Sequence, residues 1–414
     1  MKTLTRIGSL GTILLALWPL AAAAQPVLLR GTVVTMEAEE DVITTGAVLV
    51  DGGEIVEILT GNGPSPVPGA IEIETDGLIF PGLINIHDHE QWAPLRPLTV
   101  DTLYDNRYQW QPDGNGVNLT PFIGVNPPLA FNQGSSPFNA DGLYPGHLLN
   151  DSVLAGLAVE AAKWGEIQAL VGGTTTTEGS RPLPGVVDIL LRNAEHTNFG
   201  QDRVCRSVEA VGDPAFATFA ADVLAQAGAG QIDACLIHLA EGVDAASLAE
   251  LDQLEALGML QPWTVIVHGV PFGPAEFARM AAAGADLVWS PTSNLRLYGQ
   301  DARADLALAA GVNTSLSTDW TLSGDPNLLA SLKVAWDLNQ ARHQARKSFS
   351  PAYERFSAFE LVEMVTVNPA RSLGWESRTG RLREGLAADL LVISASPSAK
   401  NMPYDALIAA GEAD

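Results

Sequence analysis

The residues best suited to chemistry in this sequence are its histidines, of which there are seven among 414 residues. His87 and His89 end the largely apolar run 83–86. Residues two apart on a β-strand point to the same side, so both imidazoles would face one ion. Barrel enzymes place their active sites at the carboxyl ends of their strands, where this pair would lie. A His-X-His pair alone is a weak signal for a metal site.

Three further polar residues end other apolar runs in the same way. His238 follows residues 235–237, His268 follows 264–267, and Asp319 follows 312–318. Side chains that only filled a core would be Val, Ile or Leu at these positions. Five such residues on four strands predict a metal site, and imidazole with carboxylate suits zinc or ferrous iron. A metal in such a site lowers the pKa of a bound water molecule and so provides hydroxide near neutral pH.

Glu241 lies three residues beyond His238, where a strand gives way to a loop. We expect it to carry a proton from the attacking water to the leaving group. A surface glutamate is the plainer interpretation of the same residue.

The elements that must position these side chains are strands alternating with Ala-rich helices, a pattern typical of an α/β fold with a parallel sheet. Predicted helices cover 153–170, 245–257 and 274–283, and residues 186–191 are the candidate for an eighth strand. The seven clear strands are predicted at 79–86, 174–178, 203–208, 234–239, 264–268, 286–289 and 313–317.

The first 76 residues differ in composition from the rest of the chain. Residues 1–24 combine Lys2 and Arg6 with an apolar stretch and a run of alanines, which predicts a signal peptide cleaved after Ala24 rather than a membrane anchor. Short strands and Gly-rich turns from residue 27 to about 76 predict a small antiparallel module.

Cys205 and Cys235 are the two cysteines. In an exported protein they form either a disulfide or two buried thiols.

The formal charge of −25 argues against nucleic acid as a partner, because phosphate binding needs clustered Lys and Arg. It also argues against docking to an anionic membrane once the signal peptide is removed. A small-molecule substrate is the expected partner, and a homo-oligomer is compatible with the sequence.

The ordered set of motifs resembles the amidohydrolase superfamily, and within it the cytosine-deaminase-like and triazine-hydrolase-like group. The resemblance covers residues 27–393. Its landmarks are the residues 81–89 (PGLINIHDH), 238–241 (HLAE), 267–269 (VHG), 290–294 (SPTSN), 317–319 (STD), 368–374 (NPARSLG), 380–382 (GRL) and 385–390 (GLAADL).

The resemblance implies that the metal ligands are His87, His89, His238 and Asp319. Asp319 would also accept the proton of the water, and His268 would orient the hydroxide or polarise the substrate. Asn294 would support the ligands and is a further candidate for substrate contact, although a turn residue of a loop explains it equally well. The resemblance implies one divalent metal per chain. We expect Zn²⁺ rather than Fe²⁺, because an exported site meets oxidising conditions. Glu178 also ends a strand, and a structural role suits it better than metal binding.

The resemblance also implies the fold, a (β/α)8 TIM-like barrel over residues 78–376. Residues 25–77 and 377–414 would form a small β-sandwich module. Members of the group end with further strands, so this module is either truncated at its C-terminus or built from fewer strands.

The loop after the first barrel strand differs from that of the aromatic-base deaminases. Substrate pockets of barrels are built from such loops. Packing of the loop onto the barrel explains its aromatic residues equally well. Its candidates for the pocket are Trp92, Tyr104, Arg107, Tyr108 and Trp110.

The predicted function is hydrolysis of a carbon–nitrogen bond of a small molecule, by deamination or by opening of a cyclic or linear amide, in the periplasm or outside the cell. One alternative is hydrolytic displacement of a halide or similar leaving group. The other is a periplasmic binding protein without turnover.

Overall fold

A computed structural model describes residues 25–90, 93–94, 97, 103–109, 116–117, 129–130, 151–179, 190–208, 210–347 and 355–412. The strands are β1 (Val27–Val34), β2 (Val42–Asp51), β3 (Glu54–Thr60), β4 (Ile71–Pro81), β5 (Leu83–Asn85), β6 (Gly116–Val117), β7 (Leu129–Ala130), β8 (Thr174–Thr177), β9 (Arg192–Asn193), β10 (Val204–Ser207), β11 (Ala234–Leu239), β12 (Thr264–His268), β13 (Asp286–Trp289), β14 (Thr314–Leu316) and β15 (Leu390–Ser394).

Helices alternate with the strands from β10 onward. They are α1 (Asp151–Val171), α2 (Pro214–Gly228), α3 (Ala245–Ala256), α4 (Pro274–Ala283), α5 (Pro291–Tyr298), α6 (Ala304–Ala309), α7 (Leu328–Lys347), α8 (Ala358–Glu363), α9 (Val367–Ser372) and α10 (Pro403–Ala409). Among the described residues, no helix has both the length and the apolar character needed to cross a bilayer.

Two parallel sheets carry the site. One has the order β5–β8–β9 and the other β10–β11–β12–β13–β14. Every residue of β11 and β12 is buried, as expected for parallel strands covered on both faces. Leu236, Val265 and Val267 form one apolar layer, while Ile237 and Ile266 belong to a larger cluster that includes the helices.

The two sheets approach each other near the site. Asp88 and Asp319 form an isolated parallel bridge between the ends of β5 and β14. In the same place the Asp319 N–H donates to the His87 carbonyl oxygen at 3.2 Å. The carboxyl ends of the first and last parallel strands are therefore joined directly.

Both ends of the chain contribute to a third sheet, of order β15–β4–β1–β2–β3. β1 pairs in parallel with β4 and antiparallel with β2, and β15 pairs antiparallel with β4. Apolar clusters cover two regions of this sheet, one around Val33, Val48 and Ile79 and one around Leu28 and Leu49.

Two strand predictions need correction. The run 79–86 does not form one strand: β4 ends at Pro81 in the mixed sheet, and β5 begins at Leu83 in a parallel sheet. A side chain at Gly82 would meet Thr175 of β8 at 2.2 Å, so the chain changes sheets where only glycine fits. Of the predicted strand 186–191, residues 186–189 lie outside the described residues and 190–191 belong to no strand; the parallel strand described in this part of the chain is β9. It was missed because it has only two residues, Arg192 and Asn193, both polar.

The two cysteines form a disulfide. Cys205 of β10 and Cys235 of β11 are direct partners in the parallel register, with Cα atoms 4.5 Å apart. Of the two alternatives left open by the sequence, the structure therefore contains the bonded one. It links neighbouring strands that both lead to the site.

Replacing both cysteines (Cys205→Ser with Cys235→Ser) should lower the free energy of unfolding by roughly 3–4 kcal/mol, because the bond closes a loop of 30 residues. Urea unfolding of the variant and of the oxidised parent measures this difference. Reduced parent protein is the control and should match the variant. Two free thiols in unfolded, unreduced protein would contradict the assignment.

Candidate metal centre and active site

Five side chains from four strand ends come together in the structure. His87 and His89 follow β5, His238 and His268 lie on β11 and β12, and Asp319 follows β14. Two overlapping groups, His87–His89–His238 and His87–His268–Asp319, each bring their ligand atoms within 4.8 Å of one another. The sequence predicted all five residues at one end of the sheet, and the structure brings them together.

The distances suit a single ion. His87 Nε2 lies 3.1 Å from Asp319 Oδ1, and His89 Nε2 lies 3.8 Å from the same oxygen. The His87 and His238 rings are 4.6 Å apart between centroids. Zinc–ligand bonds of about 2.0–2.2 Å place neighbouring ligand atoms roughly 3–4 Å apart, so this spacing fits zinc.

Unusual backbone conformations aim two of these side chains. His238 lies two residues after Leu236 and therefore shares its face of β11. Alternation would place His268 on the same face of β12 as Ile266. Its φ of +82° interrupts the extended chain and turns its ring toward His87. Asp319 also has a positive φ, +61°. Non-glycine residues rarely adopt this region, and such strain is typical of functional sites.

Neighbouring groups fix the orientation of two metal-site residues, His238 and Asp319. His238 Nδ1 donates to the Ser207 carbonyl oxygen at 3.1 Å, which leaves Nε2 for the metal. The Ser293 hydroxyl donates to Asp319 Oδ2 at 2.6 Å, so Oδ1 faces His87 and His89. Such outer contacts are expected around metal ligands, because they fix ring orientation and tautomer.

Glu178 lies behind His87. Its Oε2 is 3.8 Å from His87 Nδ1, on the side of the ring away from Asp319, and the side chain is 1% exposed. Arg206 Nε lies 3.7 Å from the other oxygen. This arrangement places Glu178 beside His87, and its structural role stays a prediction.

The charges in the cluster favour binding of a cation. Burial alone would lower the pKa of His87, but Asp319 and Glu178 outweigh it and raise this pKa to about 10. Burial lowers the pKa of His89 and of His268 to about 3. The pKa of Asp319 is lowered although burial opposes it, chiefly because of its hydrogen bond with His87. Without a metal, the buried Asp319 carboxylate thus faces a protonated His87 and the neutral rings of His89 and His268. Metal binding would displace the proton of His87, because only the neutral imidazole is a ligand.

Glu241 completes the site. Its Oε2 lies 3.6 Å from His268 Nε2, and its Oε1 accepts a 2.8 Å hydrogen bond from the Tyr298 hydroxyl. The Asn294 amide nitrogen lies 3.1 Å from His268 Nδ1 and donates to it, so the proton of neutral His268 is on Nε2. Burial raises the pKa of Glu241 to about 7, which suits a group that accepts and returns protons.

The residues predicted to line the pocket have different positions. Arg107 is buried, with Nη1 3.8 Å from Glu241 Oε2. The Tyr108 hydroxyl donates to Glu250, and the Tyr104 N–H donates to the Leu297 carbonyl oxygen, so both residues anchor the loop. Their contact with a substrate stays a prediction. Trp92 and Trp110 lie outside the described residues.

Sequence reasoning missed Tyr298 and Ser293. Both lie on α5, the helix that also carries Asn294. Residues four apart share one face of a helix, so Tyr298 projects on the same side as Asn294. The spacing was a usable signal, but the phenol follows the recognised 290–294 motif and was not linked to it.

Comparison with known proteins decides the family. Residues 183–412, more than half of the chain, match the sequence profile of the amidohydrolase family. The chain belongs to this family. As predicted, proteins similar to it include deaminases and, among solved structures of similar fold, a triazine hydrolase. The predicted enzyme class, a metal-dependent hydrolase acting on carbon–nitrogen bonds, is the class of these similar proteins.

Two relatives and one solved structure illustrate the similarity. A 5-methylthioadenosine/S-adenosylhomocysteine deaminase of Pyrococcus furiosus is 32% identical over 142 residues, which are 34% of this chain and only 32% of that protein. An 8-oxoguanine deaminase of Pseudomonas aeruginosa is 27% identical, over 89% of this chain and 87% of that protein.

The solved structure is an atrazine chlorohydrolase of Arthrobacter aurescens complexed with zinc. It has a TM-score of 0.65 at 20% identity, and the match covers 93% of this chain and 91% of that one. Together with the parallel sheets, this similarity shows a TIM-barrel-like α/β fold for this amidohydrolase.

Replacing His87 and His89 by alanine should reduce bound zinc from about one ion per chain to below about 0.1, because both imidazoles are lost from one end of the cluster. Elemental analysis of zinc-exposed, desalted protein measures this. His343→Ala, which removes a histidine of α7, is the matched control and should keep its zinc. Equal zinc in all three proteins would refute the assigned site.

Proposed function

We propose that this amidohydrolase removes an amine from a small heterocyclic substrate by hydrolysis, using one zinc ion per chain. The observation that carries the proposal is the position of Glu241. Its buried carboxylate faces His268 beside the metal-site residues, where a proton must reach a departing nitrogen. An amino group leaves as ammonia only after its nitrogen has been protonated, whereas a halide leaves without a proton.

The donor set supports zinc held by His87, His89, His238 and Asp319. Three imidazoles and one carboxylate are ligands that zinc prefers, and similar solved structures contain zinc. When bound, such a metal lowers the pKa of a water molecule toward neutrality. In this proposal His268 is not a ligand; its Nε2–H is directed at Glu241 and at the substrate.

The side chains then divide the proton transfers. Water adds to the ring carbon that bears the amine, and the electron pair of the ring C=N bond moves to the ring nitrogen. Asp319 and Glu241 relay one proton of the water to this ring nitrogen. Glu241 then passes the remaining hydroxyl proton to the amine nitrogen, the bond from carbon to this nitrogen breaks with its electron pair on nitrogen, and the products are a ring carbonyl and ammonia. The Nε2–H of His268 stabilises negative charge that develops on the attacking oxygen.

The substrate class follows from the relatives. Proteins similar to this chain deaminate 8-oxoguanine and 5-methylthioadenosine. A panel of aminated purines, pyrimidines and triazines, with cyclic amides included, tests the proposal through ammonia release by the zinc-loaded protein. Turnover of cyclic amides alone would replace deamination with ring opening. No turnover by zinc-loaded protein would favour the binding-protein alternative.

Glu241→Gln should lower kcat for an amine substrate by about 10²–10⁴-fold, because the amide cannot carry the proton to nitrogen. The same ring with chloride in place of the amine is the matched control, and its hydrolysis should fall by less than about 10-fold. Steady-state kinetics measures both. Equal losses on the two substrates would assign Glu241 a role in water activation alone.

The pH dependence has a definite sign. Because burial raises the pKa of Glu241 to about 7, the carboxylate that must accept the first proton is present above this pH. We expect kcat/KM for the amine substrate to fall as the pH drops through about 7, and Glu241→Gln to remove this limb from its residual activity. Zinc content measured at each pH is the control, since proton competition for the histidines also lowers activity.

We further propose that the two parallel sheets belong to one closed barrel of eight strands, β5 and β8–β14, with the third sheet as part of a small β-sandwich. The number of strands and the bridge between Asp88 and Asp319 support closure.

We also propose that residues 1–24 direct export to the periplasm. The Cys205–Cys235 disulfide supports this, because such bonds persist in oxidising compartments.

A further inference from the structure

A short segment after the first barrel strand pairs with the chain that carries Glu241. The Arg107 N–H donates to the Glu241 carbonyl oxygen at 2.9 Å, and the Val243 N–H donates to the Asp105 carbonyl oxygen at 2.7 Å. Asn106 and Gly242 form an antiparallel bridge between these bonds. The main chain around Glu241 is thus fixed by residues 105–107.

Arg107 also holds the side chain of Glu241. The arginine is 1% exposed, and its Nη1 lies 3.8 Å from Glu241 Oε2. Its Nη2 donates to the Val208 carbonyl oxygen just beyond β10. One side chain therefore ties the carboxyl end of β10 to the carboxylate that follows β11.

The two oxygens of Glu241 have separate partners. Oε1 is held by the Tyr298 hydroxyl at 2.8 Å, while Oε2 lies between Arg107 and His268. Rotation of the carboxylate would break the contact with Tyr298. It would also move Oε2 away from the guanidinium of Arg107 and the ring N–H of His268. Arg107 thus opposes rotation of the oxygen that faces the metal-site cluster.

We propose that Arg107 is a positioning residue, which acts on the reaction through Glu241 and does not itself bind the substrate. The inference rests on the proposed function, in which Glu241 carries the proton to nitrogen. The sequence had made Arg107 a candidate for substrate contact. Its contacts with the main chain and side chain of Glu241 and with Val208 direct it at the protein.

A double-mutant cycle tests this. We compare Arg107→Met, Glu241→Gln and the double variant as zinc-loaded proteins, on the amine substrate found in the panel. Arg107→Met should lower kcat by about 10–100-fold and change KM by less than about 3-fold, because misplacing a catalytic group costs this much in rate. In the Glu241→Gln background the same change should cost less than about 2-fold.

Two variants exclude a general effect on folding. Arg107→Lys keeps a positive charge near Glu241 and should recover part of kcat. Arg203→Met removes an arginine paired with Asp233, near the amino ends of β10 and β11, and should leave kcat unchanged. All variants should keep their zinc. A loss that persists in the Glu241→Gln background, or that lies in KM, would overturn the inference and make Arg107 a substrate-binding residue.

A crystal structure of zinc-loaded Arg107→Met separates this inference from the proposed function. The Glu241 carboxylate should leave its position between Tyr298 and His268, whether or not a substrate has been found. An unchanged carboxylate would overturn the inference even if deamination is established. A displaced carboxylate in a protein that hydrolyses no amine would support the positioning role and reject the proposed reaction.

Discussion

The buried carboxylate of Asp319 is the constraint on which the rest of the site depends. It is 5% exposed, has a positive φ, and joins the ends of β5 and β14 through its backbone N–H. An unpaired carboxylate at this depth costs several kcal/mol, so positive charge must be near it. A proton on His87 supplies that charge in the metal-free protein, and the proposed metal would take the place of this proton. The charge of Asp319 and the contact between the ends of β5 and β14 thus depend on the same residue.

Much of this site could be predicted from the sequence because polar residues interrupt apolar runs. β11 and β12 have the predicted bounds, since parallel strands buried on both faces consist of continuous apolar residues. His238 and His268 could therefore be placed at strand ends. The left-handed conformation of His268 could not be predicted from the sequence. A single backbone angle that turns a side chain to the other face of its strand produces no periodic pattern of residues.

Other parts of the fold depend on contacts between distant segments. β9 has two polar residues and is defined by its pairing with Thr176 and Thr177 of β8. The break between β4 and β5 depends on the approach of Thr175 to Gly82, 93 positions earlier in the sequence, and glycine alone did not identify it. Tyr298 donates its hydroxyl hydrogen bond to Glu241 across 57 positions of the sequence. Propensity and periodicity describe local structure, so they miss features of this kind.

The strand β11 shows how one element can serve opposite requirements. Near its amino end, Cys235 is bonded to β10, and at its carboxyl end His238 is held by Ser207 of the same neighbour. Three residues later, Glu241 has a raised pKa, which suits the proton transfers of the proposed reaction. Metal ligation needs a rigid ring, whereas proton transfer needs an oxygen that is fixed in place but easily protonated. The left-handed Ala240, whose N–H is held by Glu250, separates the two residues, so rigidity and proton exchange occur three residues apart.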